Sequence, residues 1–420
     1  MDDSNTNIME LRYMKRTVWY LNTLGAWPNI ALGNDTPKTR FIRGYGCFLI
    51  LMQLLQEAST IIHCCLYLGT IDAPELALTY MNVSMTIVIT HRMTLPLTKG
   101  FPNAIKRFVE EFNLMHFKHK NEFAGKMCQR VNKIMDIFSS IIFMQGVIAV
   151  ISYAMVPVIN NIIGGQFGDN KPSPYNNYTY EHPVDFYIPK VDQYHTFRGY
   201  IGVFIFQWYV IYNTAFSFCS YDFIMFTLVF HIWGHLNILL NDLKTFPKPS
   251  SDRGANDLPS LEENKEVAAR LKELFEHFMT IMSFIDSTLK GFDKALCIYL
   301  AYHQVTDCVL LLQCSAMTIS ALSKYGMVTL FMFQQLIQLS MIFELIRSKG
   351  DMLADAVYSL PWESMSNANK KSVFIFLVSV QPTIAMKAGG IVPIGVLTMS
   401  TIIRTSLSYF VMLQTLGDTQ

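Results

Sequence analysis

Apolar stretches long enough to enter a bilayer recur seven times in this chain, at about 44–68, 75–97, 134–160, 198–240, 291–318, 326–346 and 391–416. A crossing needs roughly 20 residues as a helix. Lipid offers no partner for backbone polar groups, so only helices or a closed barrel can span it. A barrel would show alternating segments of about ten residues, which this chain lacks. The expected fold is therefore an all-α membrane protein with seven transmembrane helices. Composition agrees, with 51% hydrophobic and 15% charged residues against about 25% charged in soluble domains. A net charge of +1 and the absence of a basic block with interleaved aromatics exclude a nucleic-acid partner. The chain opens Met1-Asp2-Asp3-Ser4 without a short apolar region and cleavage site, so no cleaved signal peptide is expected.

Lys and Arg set the orientation. Six precede the first span, eight lie in 98–133 and seven in 241–290, while the connections on the other side hold only Lys171, Lys190 and Lys324. The excess of positive charge marks the cytoplasmic side. The N-terminus is therefore expected inside and, after seven crossings, the C-terminus outside. The loop 161–197 is then extracellular, and its sequon Asn177-Tyr178-Thr179 is the expected glycosylation site. A second sequon, Asn82-Val83-Ser84, falls within a span. A G-protein-coupled receptor would run the opposite way, and its Asp-Arg-Tyr and Asn-Pro-x-x-Tyr motifs are missing.

Two spans overrun the bilayer. The fourth continues to about Asp242, and the sixth continues past Glu344 and Arg347, an i,i+3 pair. Residues 261–290 place Val267, Leu271, Leu274, Phe275, Phe278 and Ile281 on one face. Another helical run covers 364–384. These pieces predict a helical cytoplasmic domain. The organisation read from the chain is a cytoplasmic segment 1–43, spans one to six with their extensions over 44–346, cytoplasmic helices over 347–390, and the last span with its extracellular end over 391–420.

The ending Ser408-Tyr409-Phe410-Val411-Met412-Leu413-Gln414-Thr415-Leu416 resembles the C-terminal signature of insect odorant receptors. So does Ala356-Val357-Tyr358-Ser359-Leu360-Pro361-Trp362-Glu363. The run Lys387-Ala388-Gly389-Gly390-Ile391-Val392-Pro393 resembles the moth branch, where many pheromone receptors lie. Related gustatory receptors end Thr-Tyr, five apolar residues, then Gln-Phe, which this chain does not. The resemblance implies a ligand-gated cation channel that assembles with the odorant receptor co-receptor, with the cytoplasmic helices forming an anchor where four subunits meet. It also implies residence in the cell membrane of a sensory dendrite. The short connection at 243–263 lacks the insertion of the co-receptor, which points to a ligand-tuned subunit. The alternative class is a seven-span metabotropic receptor or a small-molecule transporter.

The same resemblance implies a small volatile odorant bound in the outer half of the bundle. There, aromatic, Met and hydroxyl residues are abundant: Tyr80, Met81, Ser84 and Met85; Ser152, Tyr153 and Met155; Phe204, Phe206, Trp208, Tyr212 and Phe216; Val309, Gln313 and Met317; Met327, Phe331 and Gln334. Plain helix packing accounts for any one of them about as well as pocket lining does. The ligand candidates are Tyr80, Ser84, Ser152, Tyr153, Phe204, Trp208, Tyr212, Phe216, Val309 and Phe331. The co-receptor's gate residue lies three positions after the Tyr of its Tyr-Phe pair, which here is Met412. Ser408, Met412 and Thr415 are accordingly the pore candidates. Arg404 either faces an aqueous vestibule or pairs with an acid on a neighbouring helix.

No enzyme is expected, since neither a nucleophile–base arrangement nor a phosphate loop stands out. No cofactor is implied. His231 and His235 at i,i+4 lack a third metal ligand and read as structural. The eight cysteines read as buried free thiols, with Cys128 in a basic loop. Gly389-Gly390 reads as a hinge or helix break.

Overall fold

A computed structural model describes residues 8–67, 73–185, 187–247, 260–314 and 326–417. The chain is nearly all helix. Seven long helices carry the expected spans: α2 (Pro37–Tyr67), α3 (Ala73–Thr94), α5 (Glu122–Ile163), α6 (Phe197–Lys244), α7 (Leu261–Cys314), α8 (Met327–Tyr358) and α10 (Val396–Gly417). Shorter helices α1 (Arg12–Thr23), α4 (Gly100–Arg107) and α9 (Asn367–Val380) gather at one end, here called the basic end. The opposite end is closed by the loop 164–196.

Helix length dictates this arrangement. Helices α5, α6 and α7 hold 42, 48 and 54 residues, or roughly 63, 72 and 81 Å at 1.5 Å per residue. Hydrocarbon is about 30 Å thick, so more than half of each helix lies beyond it. The segment 261–290 and the fifth span, expected as separate pieces, are one unbroken helix. Ser260 starts it with a capping box, accepting the Glu263 N–H at 3.2 Å while Glu263 Oε2 accepts the Ser260 N–H at 2.8 Å. The face predicted from its periodicity is buried, with Leu271, Leu274, Phe278 and Ile281 inside. Phe275 and Phe278 meet Phe376 of α9, with ring centroids 5.5 and 5.8 Å apart.

Helix α6 is the axis of the molecule. Every residue from Phe216 to Leu236 is buried, as a helix apolar all round requires. Around it pack α1, α3, α5, α7 and α8.

Two sequence readings need correction here. The region 98–133 is not a loop. It holds α4, a π turn at Phe108–Phe112, a 3-10 turn at Leu114–Phe117 and the first turns of α5, capped by Asn121 through the Ala124 N–H at 2.7 Å. Cys128 is therefore a buried residue of α5, with Sγ 3.5 Å from Met115 Sδ. The last helix begins at Val396 rather than Ile391, because Lys387–Ala388 (β1) pairs antiparallel with Val392–Pro393 (β2). Gly389 and Gly390, at φ of 59° and 71°, turn this hairpin in a region that disfavours any Cβ. They do not break a helix.

The basic end is knitted by polar groups. Asp242, buried at the end of α6, meets Lys120 at 3.0 Å and Arg270 of α7 at 3.7 Å, and accepts the Asn121 amide at 2.8 Å. His235 donates through Nε2 to the Phe112 carbonyl at 2.8 Å, which leaves Nδ1 to accept from His277 Nε2 at 3.0 Å. His231 Nδ1 accepts the Leu114 N–H at 3.2 Å. Both imidazoles thus cap the 112–114 turn rather than share an ion, and among the described residues no three-ligand metal cluster occurs.

Without the buried Asp242 carboxylate, Lys120 and Arg270 keep only the half-exposed Glu273, 3.0 and 2.5 Å away, as counter-charge. Asp242→Asn is expected to lower the stability of the purified protein by about 2–4 kcal/mol. Glu273→Gln, in the same cluster but half-exposed, should cost less than about 1 kcal/mol. Thermal unfolding in nanodiscs measures both, and equal shifts would mean that burial does not govern the cluster.

Candidate ligand-binding site

Helices α2, α3, α5, α6 and α8 line a cavity of about 190 Å³ towards the loop end. Helical periodicity selects its walls. On α6 the stripe Val210, Ile211, Thr214, Ala215 and Phe218 faces it; on α5, Gln145, Ala149, Ser152, Tyr153 and Val156; on α8, Met327, Phe331, Met332 and Gln335. Met81, Asn82, Met85 and Thr86 complete it from α3, and Gln53 and Gln56 from α2. Among the described residues no Asp, Glu, Lys or Arg lines it. Apolar walls with a few amides and hydroxyls suit a small neutral ligand.

The loop 164–196 forms the lid, through His182, Pro183 and Val184. Fully buried Asn161, at the end of α5, clamps it from both sides. Its Oδ1 accepts the Glu181 N–H at 2.8 Å and its Nδ2 donates to the Glu181 carbonyl at 3.0 Å. Gln207 of α6 donates to the Val184 carbonyl, and Ser59 of α2 to that of Tyr187. His182 donates through Nε2 to the Gln193 carbonyl at 3.1 Å. Burial holds this imidazole below its usual range, in the neutral form.

A buried ion pair forms the floor. Arg92 of α3 meets Asp222 of α6 at 2.9 Å, with side chains only 5% and 8% exposed. Arg92 also donates to the Phe218 carbonyl at 3.1 Å and lies over the rings of Phe218 and Tyr299, 4.6 and 4.4 Å from their centroids. Phe218 is itself a cavity residue. Sequence reasoning missed this site. The available signal was a charge of each sign within apolar helices, which lipid does not tolerate unpaired.

Three of the ten ligand candidates line the cavity: Ser152, Tyr153 and Phe331. Met81, Met85 and Met327, noted beside them, do so as well. The other seven lie elsewhere. Tyr80 is 57% exposed on the outside of the bundle. Ser84 donates to its own helix at the Met81 carbonyl, 2.8 Å away. Phe204 joins an aromatic layer under the lid, 5.7 Å from Tyr200 and 6.1 Å from Trp208. Tyr212 packs on Phe216 at 4.5 Å, and Phe216 on Phe143 and Tyr20 at 6.0 and 6.2 Å. Val309 belongs to α7, which contributes no cavity residue. Gln335 lines the cavity where Gln334 was named, and Met317 lies outside the described residues. Because α6 is apolar all round, its period could not tell the 208–212–216 stripe from the cavity stripe beside it.

Helix α10 packs on α7 and α8 through one side. There Ser406 is buried and Thr405 donates to Gln304 of α7 at 3.1 Å. Its first turn is held by Glu344 of α8, whose Oε2 accepts the Val396 N–H at 3.2 Å. Gly395 permits the approach, since a Cβ there would lie 2.7 Å from that oxygen. The other side is uncovered and carries Arg404, Ser408, Met412 and Thr415. Arg404 makes no ion pair among the described residues. Asn177 is exposed on the lid, whereas Asn82 accepts the Tyr153 hydroxyl inside the bundle at 2.9 Å.

Long apolar helices, five of them lining a cavity without charged residues among those described, define a multi-pass helical membrane protein. The profile of the family described as 7tm Odorant receptor matches residues 75–407, most of the chain, and the chain belongs to that family. Its fold is similar to that of the insect olfactory receptor OR5 from Machilis hrabei. The TM-score is 0.77 at 13% identity, covering 97% of this chain and 99% of that one. The same receptor in complex with eugenol matches with a TM-score of 0.77 at 12% identity, over 98% and 100% of the two chains. No curated protein sequence matches. A receptor of this family is not an enzyme.

The floor yields a graded expectation. Asp222→Asn should destabilise the protein by about 3–5 kcal/mol, because it leaves Arg92 buried without a counter-charge. Arg92→Lys should recover only part of the wild-type stability, since an ammonium cannot reproduce the two-ring stack together with the fork to Asp222 and a carbonyl. Urea or thermal unfolding in a defined lipid environment measures both, and a wild-type Arg92→Lys would discount the stack.

Proposed function

We propose that this chain is the ligand-tuned subunit of an odorant-gated, non-selective cation channel. The observation that carries the reading is the pairing of a cavity without charged lining residues with a last helix fastened on one side and uncovered on the other. A small volatile odorant occupies the cavity and is held by Tyr153, Ser152 and Phe331. The uncovered side of α10 lines a pore shared with the odorant receptor co-receptor in a heterotetramer, with the exposed face of α9 in the anchor between subunits. Met412, 49% exposed, forms the apolar constriction, with Ser408 and Thr415 as hydroxyl neighbours. Such a ring closes a pore by expelling water. Arg404 then faces the aqueous vestibule. The basic end is cytoplasmic, the lid and the C-terminus are extracellular, and Asn177 carries the glycan. A receptor of the same fold solved with eugenol supports a small-molecule occupant of this size class. The odorant acts by binding the open state more tightly than the closed one.

Co-expression with the co-receptor tests this. Odorant should evoke cation current without guanine nucleotide, and little current from this chain alone. Phe331→Ala should shift the dose–response at least about tenfold, the effect of some 1.4 kcal/mol, with surface expression intact. Met412→Glu should keep the constriction wet and give leak or altered selectivity. Surface-expressed channels in which Phe331→Ala leaves potency unchanged would remove the cavity as the odorant site. An unchanged Met412→Glu would remove α10 from the pore.

A further inference from the structure

Several exposed cations at the basic end carry their own counter-charge. Arg40 meets Asp35 at 2.8 Å, Lys126 meets Glu122 at 2.5 Å and Lys290 meets Asp286 at 2.7 Å. Helix α1 and the start of α5 differ. Arg12, Lys15 and Arg16 share one face of α1 with Trp19. Among the described residues none of the three meets a carboxylate, and neither does exposed Lys133 of α5. The nearest acids in sequence, Glu10 and Asp136, form no ion pair with them. Arg16 is the fixed member of the group. Its Nη1 reaches across to α5 and donates to Ser139 and Ser140 Oγ at 2.8 and 2.7 Å and to the Asp136 carbonyl at 3.2 Å. Its Nε–Nη2 edge has no partner among the described residues and remains accessible. That edge is a fork able to take two oxygens of one phosphate.

Depth makes the missing anion matter. Ser140 lies six residues, about 9 Å, inside the span expected from residue 134. Ile137, Ile141 and Met144 are exposed on the same side of α5, and Lys133 lies on that side two turns nearer the basic end. Exposed Trp19 sits edge-on to Tyr20 at 5.1 Å, and Tyr20 stacks on Phe143 of α5 at 5.7 Å. An indole so placed marks the headgroup level of a bilayer. A guanidinium at this boundary is costly unless an anion answers it, and no described residue supplies one.

We infer that this face of α1 and α5 binds the headgroup of an anionic phospholipid in the leaflet at the basic end. The open edge of Arg16 takes the phosphodiester, and Arg12, Lys15 and Lys133 answer the further negative charge. The inference needs only that these helices span a bilayer, and it stands or falls apart from the cavity and the pore. A zwitterionic headgroup offers the same phosphodiester but leaves three cations unanswered. A soluble phosphate lacks the chains that lie against Ile137 and Ile141.

The test uses the full chain in neutral detergent micelles and reads the anisotropy of a fluorescent phosphatidylinositol bisphosphate. Unlabelled phosphatidylinositol bisphosphate and phosphatidylserine are expected to displace it at concentrations at least about tenfold lower than phosphatidylcholine does. Arg16→Gln should weaken binding of the probe at least about fivefold, the effect of one cation at a membrane surface. Arg12→Gln combined with Lys15→Gln should weaken it further. Arg40→Gln, which removes a cation already paired with Asp35, should leave it unchanged. Should Arg16→Gln fail to fold, the double variant decides, since both its residues are exposed. Equal displacement by phosphatidylcholine overturns the inference. So does an equal loss in Arg40→Gln, which would mean diffuse attraction to the whole basic end. Displacement by soluble inositol trisphosphate as strong as by the intact lipid also overturns it, and assigns the face to a free phosphate.

Discussion

The Arg92–Asp222 pair is the contact on which the rest of the bundle depends. An unpaired charge at that depth is costly, so α3 and α6 cannot slide or rotate apart without exposing one. The two rings over the guanidinium recruit α7 through Tyr299, 4.4 Å away. Three helices therefore meet at one side chain, directly beneath Phe218 and hence beneath the cavity. A buried pair contributes less to stability than its Coulomb energy implies, because desolvation offsets most of it. Its effect here is specificity of arrangement: of all the ways apolar helices pack on a helix as uniformly apolar as α6, it admits one register.

Both ends of the bundle are fixed by directional contacts, and above the Arg92–Asp222 pair the cavity wall has few of them. The basic end has Asp242 with its cations and the imidazoles that cap the 112–114 turn. The lid has Asn161 gripping Glu181, and Gln207 and Ser59 holding backbone carbonyls. Between them much of the cavity wall is Met, Val, Ala and Phe, whose dispersion contacts carry no angular preference. Methionine adapts its shape at little cost. A site built this way keeps its position while yielding to ligands of different outline, and its polar residues then decide among ligands of similar volume.

How much of this was legible follows from the same physics. The seven spans were readable because lipid forbids unsatisfied backbone, which forces long apolar helices. The overrun of α6 and α8 was readable from length. The continuity of α7 was hidden by a change of composition where the helix leaves the apolar layer, which resembles an element boundary but is a change of surroundings. The face of α6 was illegible because periodicity needs contrast, and residues 216–236 have none. Ser152, Tyr153 and Phe331 were found as polar or aromatic groups among aliphatic neighbours. Gln53, Gln56 and Gln145 were visible as amides in or beside apolar runs, but which cavity they share is a tertiary fact. His182 reaches the site from a loop with no pattern at all.

The cavity and the last helix are joined by the helices they share. Helix α8 gives Phe331, Met332 and Gln335 to the cavity and, three turns on, Glu344 to the start of α10. Helix α7 touches the floor through Tyr299 and holds α10 through Gln304, little more than one turn away. Tyr302 of α7 also reaches Met332 of α8, its hydroxyl 4.0 Å from Sδ. Displacing the cavity wall on α8 therefore moves an element that holds the first turn of α10, and shifting the floor moves one that holds its middle. Neither route passes through a loop. Close-packed side chains answer a displacement by changing partners rather than by compressing. Because α10 has no packing on its other side among the described residues, none of them opposes its response from that side. Whatever covers that face in an assembly sets the restoring force, so the response of α10 to an occupied cavity is a property of the interface as much as of the site.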